Sequence, residues 1–240
     1  MKKLVAYLTT AFPDKNFTID AILSLKEAGV DKIELGIPFS DPVADGPVIE
    51  KANLIALQNG FKLNDLFEVS NKIGNKIDTY WMGYFNSFYH KGYDFMTQKA
   101  KEANIKGFII PDLPYEETKL YSEKHPLISF VAPTDSKQRI NTILKNAKEF
   151  IYMVAYAGIT GSEKKEDLKE VISNIREASN TPLYIGFGVN EQTAKEKAQG
   201  VDGVIVGSVF IKVLLENDTY TNKINKLTSI AKNIKEAINS

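Results

Sequence analysis

Two acidic residues stand at the end of a predicted buried strand and in the loop that follows it. Glu34 lies between the apolar residues Ile33 and Leu35, and Asp45 follows eleven residues later in a loop that ends at Pro47. A carboxyl group that is removed from water has a raised pKa, so it can donate or shuttle a proton at neutral pH. Glu34 therefore indicates general acid–base chemistry, and the loop after its strand supplies a second acid, Asp45.

Each acid in this part of the chain also has a purely structural explanation. Glu34 could pair with a neighbouring lysine or lie on an edge strand. Asp45 precedes Pro47 and a helical pattern, so it could belong to a helix N-cap. Asp41 could stabilise a turn, and Asp112 after the fourth strand could cap a helix. These explanations stay open at the level of the residues alone.

Three glycine-containing loops near the end of the chain predict a phosphate site. Glycine lets the backbone approach a ligand closely, and N–H groups at turns and helix N-termini bind phosphate without Lys or Arg. Each glycine alone is explained by a tight turn, but together, after three successive strands, they favour phosphate binding. The residues are Gly161, Gly186, Gly188, Gly207 and Ser208.

The elements that must position these residues are short apolar runs that alternate with amphipathic stretches. Runs that are apolar nearly throughout predict strands buried on both faces, as in a parallel sheet. The stretches between them have the period of a helix, for example Leu168, Val171, Ile172 and Ile175. The predicted strands are Leu4–Leu8, Lys32–Gly36, Thr79–Tyr84, Gly107–Pro111, Ile128–Ala132, Phe150–Tyr156, Leu183–Gly188 and Gly203–Gly207.

Eight strand–helix units in 240 residues predict an α/β protein with a (β/α)8 TIM barrel, formed by residues 1–240 as a single domain. One junction recurs at 27–36, 102–111 and 198–207: a helix end, Gly or Asn in a left-handed cap, then a strand. The alternative is an open doubly wound sheet, but no GxGxxG follows the first strand. In a barrel the acids and glycines at the ends of the strands all lie at one end. Because side chains alternate along a strand, Ile33 and Leu35 are expected to pack under the helices and Glu34 to project into the barrel.

Composition excludes several classes of function. Lys+Arg and Asp+Glu balance at 30 each, so the basic surface of a nucleic-acid-binding protein is not expected. The absence of cysteine excludes disulfides and thiolate chemistry. The apolar run after Met1 is too short for a signal peptide or a membrane span, which predicts a cytoplasmic protein with no membrane partner. His90 and His125 are expected in polar surroundings with no metal-ligand spacing, so no metal site is predicted.

The loops together resemble the tryptophan synthase alpha chain family over nearly the whole chain. The first of the matching segments is specific to that family, whereas the glycine-rich segments would fit many phosphate-binding barrels. In order, the segments are ELGIPFSDPVADGP, GYFN, PDLPYEE, APT, AGITG, GFGV and VGS.

This resemblance implies a lyase that cleaves indole-3-glycerol phosphate to indole and D-glyceraldehyde 3-phosphate without a cofactor of its own. It also implies a β-chain partner that carries pyridoxal phosphate, in an α2β2 heterotetramer. Glu34 would be the catalytic acid and base, and Asp45 its partner. Asp41 would face the β chain. The implied substrate-binding residues are Tyr7, Tyr152, Thr160, Gly161, Gly188, Gly207 and Ser208.

The sequence departs from the family pattern at two positions. Ala11 stands where the family usually has Gly, and Tyr156 where it usually has Ser or Arg.

Two other functions fit the sequence less well. A related isomerase or synthase acting on indole precursors would need a lysine at a strand end, which the sequence lacks. A weakly catalytic subunit that only activates its partner is disfavoured because both candidate acids are present.

Overall fold

The apolar runs form eight parallel strands that surround a common core in the computed structural model, which describes residues 1–154 and 168–240. The strands are β1 Lys3–Thr9, β2 Lys32–Gly36, β3 Asp78–Met82, β4 Gly107–Ile109, β5 Ser129–Val131, β6 Ile151–Val154, β7 Leu183–Gly186 and β8 Gly203–Val206. Their order in the sheet is β4-β3-β2-β1-β8-β7-β6-β5. Each predicted run overlaps one strand, although β1 is longer than its run and β3, β4, β5, β7 and β8 end before theirs.

The sheet closes on itself between its two terminal strands. Phe108 of β4 forms a parallel bridge with Leu127, just before β5. The Phe108 amide donates to the Pro126 carbonyl at 2.9 Å, and the Ile128 amide donates to the Phe108 carbonyl at 3.0 Å. Closure of a parallel eight-stranded sheet confirms the predicted (β/α)8 barrel and rules out the open doubly wound alternative.

Helices separate the strands along the described parts of the chain. Their apolar faces pack on the outside of the barrel, as the helical period predicted. In the last helix, for example, Leu227, Ala231 and Ile234 are buried. The helices are α1 Lys15–Glu27, α2 Pro47–Gln58, α3 Leu63–Ile73, α4 Phe85–Tyr89, α5 Tyr93–Glu102, α6 Tyr115–Thr118, α7 Lys137–Leu144, α8 Lys169–Ala178, α9 Ala194–Lys197, α10 Ser208–Leu215 and α11 Tyr220–Ala237.

The three predicted junctions have the backbone conformation that their sequences require. Gly29, Asn104 and Gly200 have φ angles of 98°, 56° and 75°, in the left-handed region between a helix and the next strand.

Ala11, which follows β1, also adopts a left-handed φ, of 58°. A residue with a Cβ in this region carries strain of order 1–3 kcal/mol, so the alanine is strained where glycine would not be.

The strand register directs one row of side chains into the barrel. Tyr7 of β1 is the register partner of Glu34 of β2, and Glu34 is the partner of Tyr80 of β3. Register partners on adjacent parallel strands project to the same face. Ile33 and Leu35, which project to the other face, are completely buried. The prediction that Glu34 faces the barrel interior follows directly from this alternation.

No helix among the described residues is long and apolar enough to cross a membrane. The longest, α11, has 18 residues, four of which are lysines.

The sequence prediction for His125 was wrong: the side chain is buried, and its ring lies 4.5 Å from that of Phe108. Burial, followed by the charge of Lys101, lowers the pKa of His125 to about 4.

Candidate active site

Glu34 is a buried carboxyl in the interior of the barrel. Its side chain is 1% exposed, and its Oε1 atom has no hydrogen-bond partner among the described residues. Burial, with a smaller contribution from the nearby charge of Asp45, raises the pKa of Glu34 to about 8. An edge-strand position does not account for this residue, because β2 lies between β1 and β3. A lysine pair does not account for it either, because no lysine of the described residues is among the groups that shift its pKa. At neutral pH the group is a carboxylic acid that can donate a proton.

Asp45 returns from the loop after β2 to face the same pocket. Helix α2 begins at Pro47, and its N-cap is Gly46, with no side-chain capping bond. Asp45 is therefore not the helix cap that its position suggested. Its carboxylate instead accepts hydrogen bonds from the Tyr84 hydroxyl and from the Asn53 amide, the latter at 3.3 Å.

The surroundings of Asp45 set its pKa below that of Glu34. The pKa of Asp45 is raised to about 6. Burial is the largest cause and the charge of Glu50 adds to it, whereas the hydrogen bonds from Tyr84 and Asn53 act in the opposite direction. Above this value the group is ionised while Glu34 still holds its proton. Two carboxyls with unlike environments supply an acid and an anion side by side. No lysine or arginine of the described residues is among the groups that shift either pKa.

Two tyrosines line the pocket beside Glu34. The hydroxyl of Tyr7 lies against Gly36, where a Cβ atom would approach it to 2.3 Å. The hydroxyl of Tyr152 lies against Gly186 in the same way, at 2.4 Å. Burial raises the pKa of both hydroxyls, with smaller contributions from nearby acids that include Glu34. Both rings therefore depend on a neighbouring strand that carries glycine.

Tyr152 also belongs to a stack of aromatic rings on this side of the barrel. Its ring is parallel to that of Phe130 at 4.9 Å and meets the edge of Phe187 at 6.2 Å. Phe187 is 42% exposed and has a φ of 70°. These flat apolar surfaces, next to two carboxyls, fit a planar aromatic ligand that carries a polar N–H group.

Gly188 and Gly207 of the predicted phosphate site lie after β7 and β8, whereas Gly186 is the last residue of β7 and lies against the Tyr152 hydroxyl. Gly188 has a φ of 71°, and a Cβ atom placed there would meet open space. Gly207 is the N-cap of α10 and makes no side-chain capping bond to the first N–H groups of that helix, which are the groups that bind anions at helix N-termini. Ser208, the first residue of α10, is exposed. Thr160 and Gly161 lie outside the described residues.

Two other candidate acids have structural roles. Asp112 accepts a hydrogen bond from the Phe85 amide at 2.8 Å and so satisfies the start of α4, a helix that precedes it in the chain. Asp41 is exposed and accepts a hydrogen bond from the Ser40 hydroxyl, which fits the turn predicted for it. Among residues 1–154 and 168–240, no group of three His, Asp or Glu side chains could hold a metal ion.

Two partners of Asp45 were missed at the level of the sequence. Tyr84 lies in the GYFN segment after β3, and its hydroxyl also accepts a hydrogen bond from the Ala44 amide at 2.9 Å. Asn53 is a 1% exposed amide on the inner face of α2, beside Ala52 and Ala56. A polar residue within an otherwise apolar helix face was the available signal for Asn53.

The chain matches the profile of the tryptophan synthase alpha chain family over residues 1–239. A curated relative from Wolinella succinogenes, named tryptophan synthase alpha chain, is 56% identical to it, and the alignment covers 100% of this chain and 97% of the relative. A relative of the same name from Petrotoga mobilis is 41% identical, over 94% of this chain and 91% of its own length.

Solved structures agree with the sequence relatives. Tryptophan synthase subunit alpha from Campylobacter jejuni superimposes with a TM-score of 0.86 at 32% identity, over 97% of this chain and 95% of that one. A ligand-free tryptophan synthase structure from M. tuberculosis superimposes with a TM-score of 0.87 at 28% identity, over 100% of this chain and 94% of that one. The similarity therefore extends over the complete barrel.

Proposed function

The chain belongs to the tryptophan synthase alpha chain family, and from this premise we propose that Glu34 is its catalytic acid and base and that Asp45 is the anion paired with it. The reaction of the chain is the cleavage of indole-3-glycerol phosphate to indole and D-glyceraldehyde 3-phosphate, as a lyase in tryptophan biosynthesis. Its partner is a β chain in an α2β2 complex, and the pyridoxal phosphate belongs to that β chain.

The proposed chemistry begins with the protonated form of Glu34. The acid gives its proton to C3 of the indole ring, which makes the ring a cationic indolenine. The resulting carboxylate then takes the proton from the hydroxyl on the carbon attached to C3. The bond between these carbons breaks, its electron pair returns to the ring, and the hydroxyl carbon becomes the aldehyde. Glu34 is protonated again at the end, so one buried carboxyl serves both steps.

The proposed part of Asp45 is electrostatic. Its carboxylate would accept a hydrogen bond from the indole N–H and so stabilise the positive charge that the ring carries after protonation. The observation that supports both assignments is the separation of the two pKa values, about 8 for Glu34 and about 6 for Asp45. Between these values the pair holds one proton, on the residue that must donate it.

The remaining assignments concern how the substrate is held. We propose that Tyr7 and Tyr152 line the indole pocket, because Tyr7 is the register partner of Glu34 and the charge of Glu34 contributes to the raised pKa of Tyr152. Gly188 after β7, and Gly207 and Ser208 at the start of α10, are proposed to bind the phosphate through backbone N–H groups. The roles of Thr160 and Gly161 and the β-chain contact of Asp41 rest on the family resemblance.

Two further proposals concern the whole chain. We propose that residues 1–240 form one domain, because one eight-stranded sheet encloses a single buried cluster that includes residues from Leu4 to Ile238. We also propose a cytoplasmic location. The absence of cysteine fits a reducing compartment.

The proposed function is tested by indole release from indole-3-glycerol phosphate, measured with and without a β chain. Glu34→Gln should lower the turnover about 100-fold or more, which is the contribution expected of a general acid and base, while its circular dichroism stays that of the parent. Asp31→Asn, an acid substitution at the opposite end of the barrel, is the matched control. Turnover by Glu34→Gln within a few-fold of the control would contradict the assignment.

A further inference from the structure

Asn53 is a buried amide whose position is not explained by the packing of α2. Its side chain is 1% exposed, and its helix neighbours on the buried face, Ala52 and Ala56, are small and apolar. The amide nitrogen donates to the Asp45 carboxylate at 3.3 Å. The amide oxygen has no hydrogen-bond partner among the described residues.

This half-satisfied amide is unfavourable for folding. A buried polar atom without a partner loses its hydrogen bonds to water and gains nothing in exchange. An alanine or leucine at the same position would avoid that loss. What the amide adds is one donor, directed at a carboxylate that also has a tyrosine hydroxyl as its partner. The hydrogen bond to Asp45, rather than the packing of α2, therefore accounts for an asparagine at this position.

We propose that Asn53 is a positioning residue that holds the Asp45 carboxylate in the orientation needed by the substrate and donates a hydrogen bond to its ionised form. The inference rests on the proposed catalytic role of Asp45. It adds a third residue to the acid pair, contributed by α2 rather than by a strand end. The residue acts through Asp45 and does not itself need to touch the substrate.

The groups around Asp45 determine which way its protonation should move. The hydroxyl of Tyr84 and the amide of Asn53 both favour the carboxylate, whereas Glu50 on α2 disfavours it. From the strands, the carboxyl of Glu34 and the hydroxyls of Tyr7 and Tyr152 interact with the same charge. Burial and the charge of Glu50 raise the pKa of Asp45, and the hydrogen bond from Asn53 lowers it. Removal of that donor should therefore raise the pKa of Asp45.

The test is the pH dependence of kcat, measured with saturating substrate in the complex with a β chain. In Asn53→Ala the acid limb of the profile should move upward by about one pH unit, and kcat at neutral pH should fall by up to about tenfold with a smaller change in KM. Asn53→Asp keeps the shape of the side chain but replaces the donor by a second acid. Its acid limb should move further in the same direction.

Ser70→Ala is the matched control. Ser70 is also a fully buried polar residue on a neighbouring helix, where it accepts a hydrogen bond from the Trp81 indole at 2.8 Å. Its removal should lower the stability without moving the acid limb. A profile of Asn53→Ala and of Asn53→Asp that coincides with that of Ser70→Ala would overturn the proposal. If Asn53→Ala does not fold, the isosteric Asn53→Asp decides the question.

Asp45→Asn, measured in the same series, separates this proposal from the one on which it rests. If Asp45→Asn loses turnover while both Asn53 variants behave like the control, only the role of Asn53 fails. If Asp45→Asn retains turnover and its acid limb, the role of Asp45 itself fails. A loss of turnover in Asp45→Asn together with shifted limbs in the Asn53 variants supports both assignments.

Discussion

The two ends of the barrel differ in whether their acidic side chains are paired with cations. At the amino ends of the strands, Asp31 is bonded to Lys3 and Lys235, and Asp202 to Arg176. At the carboxyl ends, no cationic side chain of the described residues is among the groups that shift the pKa of Glu34 or Asp45. Acidic side chains therefore have cationic partners at the amino end, whereas this pair at the carboxyl end has none among the described residues.

The amino end uses its acids for stability. Burial alone would raise the pKa of Asp31, but hydrogen bonds from Lys235, the Leu4 amide and Lys3 bring it below its ordinary value. Asp202 is likewise lowered, by Arg176 and the Leu183 amide, against the effect of burial. A lowered pKa means that the stabilisation is present above the unfolded pKa and is lost as the pH falls through the folded value.

The carboxyl end uses its acids for chemistry and loses stability in exchange. The raised pKa of Glu34 means that its contribution is present below its ordinary value of 4.5 and is lost as the pH rises through about 8. A lysine beside Glu34 would remove this loss, but it would also ionise the acid and abolish the proton donor. An acidic side chain that is buried without a cationic partner is therefore a better sign of the active end than burial alone.

The largest effect expected from this comparison is at Asp45. Asp45→Asn keeps the shape of the side chain and removes the charge that the cationic ring intermediate requires, so kcat should fall about 100-fold or more. The free energy of unfolding should change little or increase, because a buried charge is removed. Indole release and urea unfolding measure the two quantities. A variant that loses stability and keeps its turnover would make Asp45 a structural residue after all.

The second effect is a window of activity between the two pKa values. Turnover should fall tenfold per pH unit below about 6, where Asp45 takes up a proton, and above about 8, where Glu34 loses one. The phosphate of the substrate also titrates near pH 6. Comparison of kcat with kcat/KM separates the two, because kcat reports groups in the enzyme–substrate complex. A flat profile of kcat from pH 5 to 9 would contradict the assignment of both acids.

The smallest effect is expected at the amino end, and on stability only. Asp31→Asn should lower the free energy of unfolding by about 1–3 kcal/mol, as for the loss of charge-assisted hydrogen bonds, and should leave kcat unchanged. The difference from the parent protein should shrink as the pH falls, since the parent then loses its own carboxylate. Urea unfolding at several pH values measures this. A pH-independent difference, or a loss of turnover, would break the contrast between the ends.

Much of the frame that positions the site could be predicted because it depends on local rules. Alternation along β2 gave the inward direction of Glu34, and the left-handed conformations of Gly29, Asn104 and Gly200 followed from their place between a helix and a strand. These properties depend on a residue and its immediate neighbours. The folded barrel keeps these local conformations because each strand–helix unit has the same arrangement.

The rest of the site could not be predicted because it depends on contacts between distant parts of the chain. Tyr84 reaches Asp45 across 39 positions of sequence, and no local pattern indicates that contact. The N-cap pattern before Pro47 even favoured a different role for Asp45, since capping is the commoner use of an acid there. His125 was placed among polar residues because its neighbours in sequence are polar, whereas its neighbours in space include Phe108.

The central claim is that Glu34 is a buried acid that keeps its proton at neutral pH. The direct measurement is a pH titration of protein labelled with ¹³C at the glutamate carboxyl carbons, in which the Glu34 resonance is identified by its absence from Glu34→Gln. We expect a midpoint near 8 for this resonance, well above the ordinary glutamate value of 4.5. A midpoint near the ordinary value of 4.5 would contradict it, because Glu34 would then have no proton to give.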